Sequence, residues 1–158
     1  MRKSVYIETT IPSAYVSRRV DVYSASRRAF TRQWWGNQKR HFEVFTSREV
    51  FRELAAFDFP GRSEAVEMIR SLPLLDVSED VEAISEVYVR ERLMPGPAGA
   101  GDGLHLAIAA YHRIDFLLTW NIRHMANLNK IEHMVVLNRR LALLTPSILT
   151  REMLWLET

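Results

Sequence analysis

The apolar positions of this chain fall into short blocks with two alternating spacings. Residues 4–8 (SVYIE), 41–45 (HFEVF), 74–77 (LLDV), 115–120 (DFLLTW) and 144–150 (LTPSILT) are brief runs rich in β-branched, aromatic and leucine side chains, and they predict strands. Between them, apolar residues recur at helical intervals. Residues 21–35 bring Val22, Ala25, Ala29 and Phe30 near one stripe, and Gly36-Asn37 stops that helix. Thr46-Ser47-Arg48-Glu49 has capping-box spacing, which gives Glu49 a structural task at the start of a helix that runs on through Glu53. Residues 61–72 predict a further helix. Ser78 opens another, with Val81, Ile84, Val87 and Tyr88 turned inward. After the breaker PGPAGAG at 95–101, Leu104, Ala107, Ile108 and Tyr111 follow at i, i+3, i+4 and i+7 in a helix from Asp102. Residues 131–141 and 151–156 complete the helical set, and Thr9, Thr10 and Pro12 read as a turn after the first strand.

Strand and helix blocks alternating to the C-terminus predict an α/β fold, with a mostly parallel, doubly wound sheet of about five strands and helices on both faces. The 158 residues read as one domain, 1–158, with no repeat and no linker long enough to divide it. A hydrophobic fraction of 47% and a charged fraction of 25% are those of an ordinary globular protein. The absence of Cys removes disulfides, thiolate metal sites and a thiol nucleophile. MRKSVYIETT reaches Glu8 after too few apolar residues for a signal peptide or membrane span, so the expectation is a cytoplasmic protein without a membrane partner.

Net charge is only +2 but unevenly spread, because residues 1–60 hold 11 Lys/Arg against 6 Asp/Glu and residues 61–100 hold 4 against 8. Arg18, Arg19, Arg27, Arg28, Arg32, Lys39 and Arg40 form either a phosphate-attracting face or an ordinary solvated helix surface.

The chemistry concentrates in three carboxylates at equivalent architectural places. Glu8 ends the first strand, Glu53 lies in the helix after the second, and Asp102 begins the helix before the fourth. With the first strand central and the fourth beside it, all three converge at the carboxyl edge of the sheet, and Asn121 joins them just beyond the fourth strand. Crowded carboxylates repel unless a cation neutralises them, and oxygen-only donors favour Mg²⁺ or Mn²⁺ over Zn²⁺. Two have a structural alternative: Asp102 could cap its helix, and Glu53 could pair with Arg48 or Arg52. Glu8 ends a central, buried strand, where an unpaired carboxylate is costly, and this points to a metal or cation partner. His105, beside Asp102, reads as a hydrogen-bonded supporting residue, and His124 and Asn127 as phosphate contacts or helix caps.

The runs YIETTIPSAY, SREVFREL and GDGLHLAIAAYHRIDFLLTWNIRHMAN together resemble the PIN-domain nucleases, in particular the VapC-like toxins of toxin–antitoxin pairs, over essentially the whole chain. The third run is the most specific, through Asp-x-x-His-x-Ala-x-Ala followed by Leu-Leu-Thr-Trp-Asn-x-x-His. The resemblance implies a PIN-like three-layer α/β/α fold and a metal-dependent endoribonuclease that leaves 5′-phosphate and 3′-hydroxyl ends. It places Glu8, Glu53, Asp102 and Asn121 at the Mg²⁺ or Mn²⁺ site as catalytic residues, with Thr119, His105 and His124 in support or on substrate. It further implies RNA as substrate, a small antitoxin protein as partner, and a homodimer for which the helix carrying Trp34 and Trp35 offers one surface. Trp34, Trp35 and Trp120 are also candidates for stacking on a base. Two positions depart from the family pattern. Glu8 is one methylene longer than the usual Asp, and Asn121 is neutral where a fourth acid is usual. The departures keep a second reading in play, a catalytically silent PIN-like module that binds RNA or a partner. A phosphatase or receiver-like domain fits poorly, since no Asp-x-Asp occurs and no Lys follows Lys130.

Overall fold

The computed structural model describes residues 1–150 and 153–157. Ser4–Ile7 (β1) is buried along almost its whole length, as its Val-Tyr-Ile sequence requires of a strand covered on both faces. It pairs in parallel with Glu43–Phe45 (β2) on one side and Phe116–Leu118 (β3) on the other, and β3 pairs in parallel with Ser147–Leu149 (β4). The sheet order is therefore β2-β1-β3-β4. Four strands stand where about five were expected. The segment 74–77 contributes a single parallel bridge, Leu74 to Thr46, held by Thr46 N–H to Pro73 O (3.1 Å) and Leu75 N–H to Thr46 O (2.9 Å). Pro73 has no N–H to extend that ladder, and Ser78 already caps the next helix.

The helices are Thr10–Val16 (α1), Val22–Asn37 (α2), Arg48–Ala56 (α3), Arg62–Arg70 (α4), Glu79–Arg90 (α5), Gly101–Tyr111 (α6), Ile122–Met125 (α7) and Leu128–Arg140 (α8). A 3-10 turn, Lys39–His41, leads into β2. Where the sequence suggested a turn, α1 forms, because Pro12 is the third residue of the helix and its missing N–H falls among donors that lack an intrahelical acceptor anyway. The helix expected at 151–156 begins outside the described residues, and residues 153 and 154 form a turn and a bend. α1 packs on α2 and α4, and α5 on α6. The chain leaves β1 toward β2 and comes back to β3 on the opposite side of β1.

Gly61 is the close-approach point of the helical layer. Its φ is +88°, and a Cβ there would lie 2.9 Å from Val16 Cβ, so the residue lets the start of α4 meet the end of α1. Among the described residues no helix is long and apolar enough to cross a membrane.

Candidate active site

Because strand order reverses at β1, a crevice opens beyond the carboxyl ends of β1 and β3, the place where open α/β sheets take ligands. A cavity of about 350 Å³ lies there, and Glu8, Glu53 and Asp102 all line it, with Thr9, Thr10, Arg27 and Trp120. Three elements, the end of β1, α3 and the first turn of α6, thus bring the three sequence-predicted acids to one hollow.

Each carboxylate is held through one oxygen. Glu8 Oε1 accepts from the Thr10 N–H at 2.9 Å and from the Thr10 hydroxyl, which in turn accepts from Trp120 N–H at 2.8 Å. Glu53 Oε1 accepts from the Thr9 hydroxyl at 2.7 Å and contacts His105 Nε2. Asp102 Oδ2 accepts from Asn121 Nδ2 at 2.8 Å. The second oxygen of each has no protein partner among the described residues. No buried side-chain nitrogen or oxygen there lacks a partner, so these second oxygens are reached by solvent.

Electrostatics follow from this crowding. Burial pushes the Glu8 carboxyl from 4.5 to about 7, against the opposing pull of His105 and the Thr10 hydroxyl. Burial also raises Asp102, and the charge of Glu53 adds to it while His105 opposes. Burial would raise Glu53 too, but the bond to His105, its charge and the Thr9 hydroxyl bring this carboxyl below its ordinary value. His105, 1% exposed, is pushed down by burial and raised overall by Glu53 and Glu8.

The His105 ring is fixed at both nitrogens. Nδ1 lies 2.6 Å from the Tyr6 hydroxyl, itself 2.7 Å from Ser47 Oγ. A buried chain Ser47–Tyr6–His105–Glu53 therefore runs from β1 and α3 to the cavity wall, giving His105 the supporting place its sequence position suggested. Thr46 and Glu49 do not form the expected capping box: the Thr46 hydroxyl donates to Ile7 O at 3.1 Å, and the N-cap is Ser47, whose hydroxyl is committed to Tyr6, so α3 has no side-chain cap. Glu49, 3% exposed, turns instead toward α6. Its Oε2 accepts the Gly101 N–H at 2.6 Å, while Arg52 forks onto both of its oxygens. An acid in α3 thus caps the helix that carries Asp102 in its first turn, for which the N-cap residue Ala100 offers no side-chain acceptor.

Asn121 stands beside Asp102 but presents an N–H to it, and its own oxygen caps α7 by accepting the His124 N–H at 3.3 Å. Both ends of the amide are thus engaged, the N–H on Asp102 and the oxygen on the first turn of α7. Thr119, fully buried, accepts the Asn121 N–H at 2.8 Å and fixes that turn. His124 is exposed, close enough for its charge to lower Asp102, and Asn127 caps α8 by accepting the Lys130 N–H at 3.0 Å.

The basic segment divides. Arg27 lines the acidic cavity and lies over the Trp120 ring at 5.4 Å. Arg28 and Arg32 donate to the Ser17 and Tyr15 carbonyls, so they tie α2 to α1. Lys39 and Arg40 precede β2, at the opposite edge of the sheet from the acids, so no single face of seven cations forms. Trp34 is 1% exposed, stacks on Phe42 and donates to Leu154 O at 2.8 Å, which makes it core and removes it from base stacking or a dimer surface. Trp120 is also buried and donates to the Thr31 hydroxyl at 2.8 Å. Thr9, Thr10, Tyr6 and Ser47 were not singled out as site residues in the sequence, where only the hydroxyl pair directly after a strand-ending acid signalled them.

Among the described residues, no three acidic or histidine side chains lie close enough to enclose an ion as they stand. The donor chemistry nevertheless fits a hard divalent cation, because three solvent-reached carboxylate oxygens line one cavity and two of those carboxyls are raised, chiefly by burial.

No protein-family profile matches the chain, and no curated protein does. Among solved structures, a chain in the crystal structure of VapBC2 from Rickettsia felis, bound to a DNA fragment from their promoter, superposes with a TM-score of 0.53 over 93% of this chain and 98% of that one. At 12% identity the likeness is one of fold alone, the α/β arrangement of a parallel sheet flanked by helices described above.

Proposed function

We propose that this protein is a metal-dependent endoribonuclease of PIN type, acting in the cytoplasm as the toxin of a toxin–antitoxin pair. The observation that carries the reading is the convergence of Glu8, Glu53 and Asp102 from three elements on one cavity at the switch point of the sheet. The fold-level likeness to a VapBC assembly supports it and suggests a small antitoxin as partner. Glu8, Glu53 and Asp102 would hold Mg²⁺ or Mn²⁺, and such an ion supplies charge neutralisation at a phosphodiester and a more acidic bound water. The chain's own groups do the positioning. Thr10 holds Glu8, Thr9 and His105 hold Glu53, and Asn121 holds Asp102, each leaving one carboxylate oxygen toward the cavity. Arg27, on the cavity wall, draws the RNA backbone in by charge without reading sequence.

A second reading, the silent binding module, is favoured by Asn121 being spent on Asp102 and α7 where a fourth acid would serve an ion. One experiment separates them. Wild type and Asp102→Asn, whose substituted amide oxygen can still accept from Asn121, are incubated with total RNA and a labelled oligonucleotide library in Mn²⁺, Mg²⁺ or chelator. The nuclease reading expects cleavage that requires metal and vanishes in the folded variant. No cleavage of any pool, together with Mn²⁺ binding that the substitution leaves unchanged, would establish the silent module instead.

A further inference from the structure

A larger recess of about 910 Å³ adjoins the acidic cavity and shares Thr9, Ser13, Ser17 and Glu53 with it. Its lining is apolar at Leu54, Phe57, Phe59 and Pro60 and cationic at Arg18, Arg19 and Arg52. Phe57, immediately after α3, is 76% exposed. A large aromatic ring left in water beside a charged hollow is unexplained by core packing. Two of the guanidinium groups are committed, Arg19 to Asp21 at 3.2 Å and Arg52 to Glu49. Arg18 is exposed and makes no hydrogen bond or ion pair among the described residues.

We propose that this recess holds the unpaired base of a nucleotide next to the scissile phosphate, stacked on Phe57, with Arg18 on the adjoining backbone phosphate. The proposal rests on the ribonuclease reading and adds to it where the flanking strand runs and that the strand is single. The common wall makes the recess the continuation of any strand whose phosphate lies at the acids, because Glu53 faces both hollows. A nucleotide alternates an anionic and a flat apolar group, and the recess offers the matching pair, a free guanidinium beside an exposed ring. A base in a duplex is stacked on its neighbours and cannot enter without being flipped out. Every base has a π-face, so Phe57 contributes affinity without choosing among bases.

The test uses the full chain carrying Asp102→Asn, in chelator, so that neither metal nor turnover enters the reading. Binding of a fluorescently labelled single-stranded RNA is followed by anisotropy, with 2-aminopurine placed at successive positions to report stacking. Adding Phe57→Ala should weaken binding about five- to a hundredfold, the range of one base–aromatic stack, and abolish the 2-aminopurine response at one position. Phe57→Tyr should restore both. Arg18→Ala should weaken binding and lower the slope of log affinity against log salt by about one. Both residues are exposed, so neither change threatens the fold. RNA binding that neither substitution alters overturns the proposal and leaves the recess to a segment of a protein partner, as does equal affinity for duplex and single strand. Wild-type hydrolysis of bis(p-nitrophenyl) phosphate with Mn²⁺, a diester without a nucleobase, reads the acids independently. Its absence alongside a Phe57-dependent 2-aminopurine response would sink the nuclease reading and retain the base site.

Discussion

Replacing Glu8 by Gln should make the metal-free protein more stable at alkaline pH, by an amount that follows from the burial of this carboxyl. The Glu8 carboxyl is 2% exposed and raised by burial to about 7 from an ordinary 4.5. The folded chain therefore keeps this proton over a window in which the unfolded chain has lost it, and stability falls as pH rises through that window. With those two values, ionisation of Glu8 removes about 2.5 kcal/mol of stability between pH 5 and pH 8, most steeply between 4.5 and 7. Gln is uncharged and of nearly the same shape, and its amide oxygen can accept both Thr10 bonds. The assay is urea unfolding in chelator at half-unit steps from pH 5 to 8, for wild type and Glu8→Gln, with m-values compared so that only stability changes are read. The difference between the two proteins should widen toward pH 8 by about 2.5 kcal/mol. Parallel curves would show that Glu8 titrates normally in the fold, and the reasoning from burial would be refuted.

Other consequences are accessible to the same measurement. Tyr6→Phe leaves Ser47 Oγ and His105 Nδ1 without their buried partner and should destabilise by about 1–3 kcal/mol, with a changed His105 tautomer signal in ¹⁵N spectra. Glu49→Ala strips the acceptor from Gly101 N–H and the partner from Arg52; a loss of about 1–3 kcal/mol is expected, accompanied by faster amide exchange at the start of α6. Gly61→Ala meets both a positive φ and the Val16 side chain, and should lower stability by more than about 1 kcal/mol in urea titration. An unchanged midpoint in any of these would contradict the corresponding contact.

The alternation of strands and helices was legible because β1 and β3 are buried on both faces and must be continuously apolar, whereas α5 shows its inward stripe at helical spacing. Local signals failed where one residue had two readings. Pro12 looked like a turn and is the third residue of α1, and 74–77 has strand composition but forms one bridge. Glu8, Glu53 and Asp102 could be placed in the sequence because their element ends were visible. Their partners could not, since Tyr6 and His105 lie 99 residues apart and Glu49 and Gly101 lie 52 apart, and helix rotation over such separations leaves no local spacing. Glu49 shows this best. Its capping-box position pointed to its own helix, while its carboxylate caps another.

That cross-cap divides the hollow mechanically. Glu49 joins α3 to the first residue of α6, so Glu53 and Asp102 ride on one coupled pair of helices, while Glu8, pinned through Thr10 to Trp120, rides on the sheet. An ion taking an oxygen from all three would act as a rivet between two bodies that otherwise meet through packing and through the Tyr6–His105 and Thr9–Glu53 hydrogen bonds. Its arrival would stiffen the layer contact itself, and the protein's resistance to shear between sheet and helices would then be set by the same event that readies its chemistry.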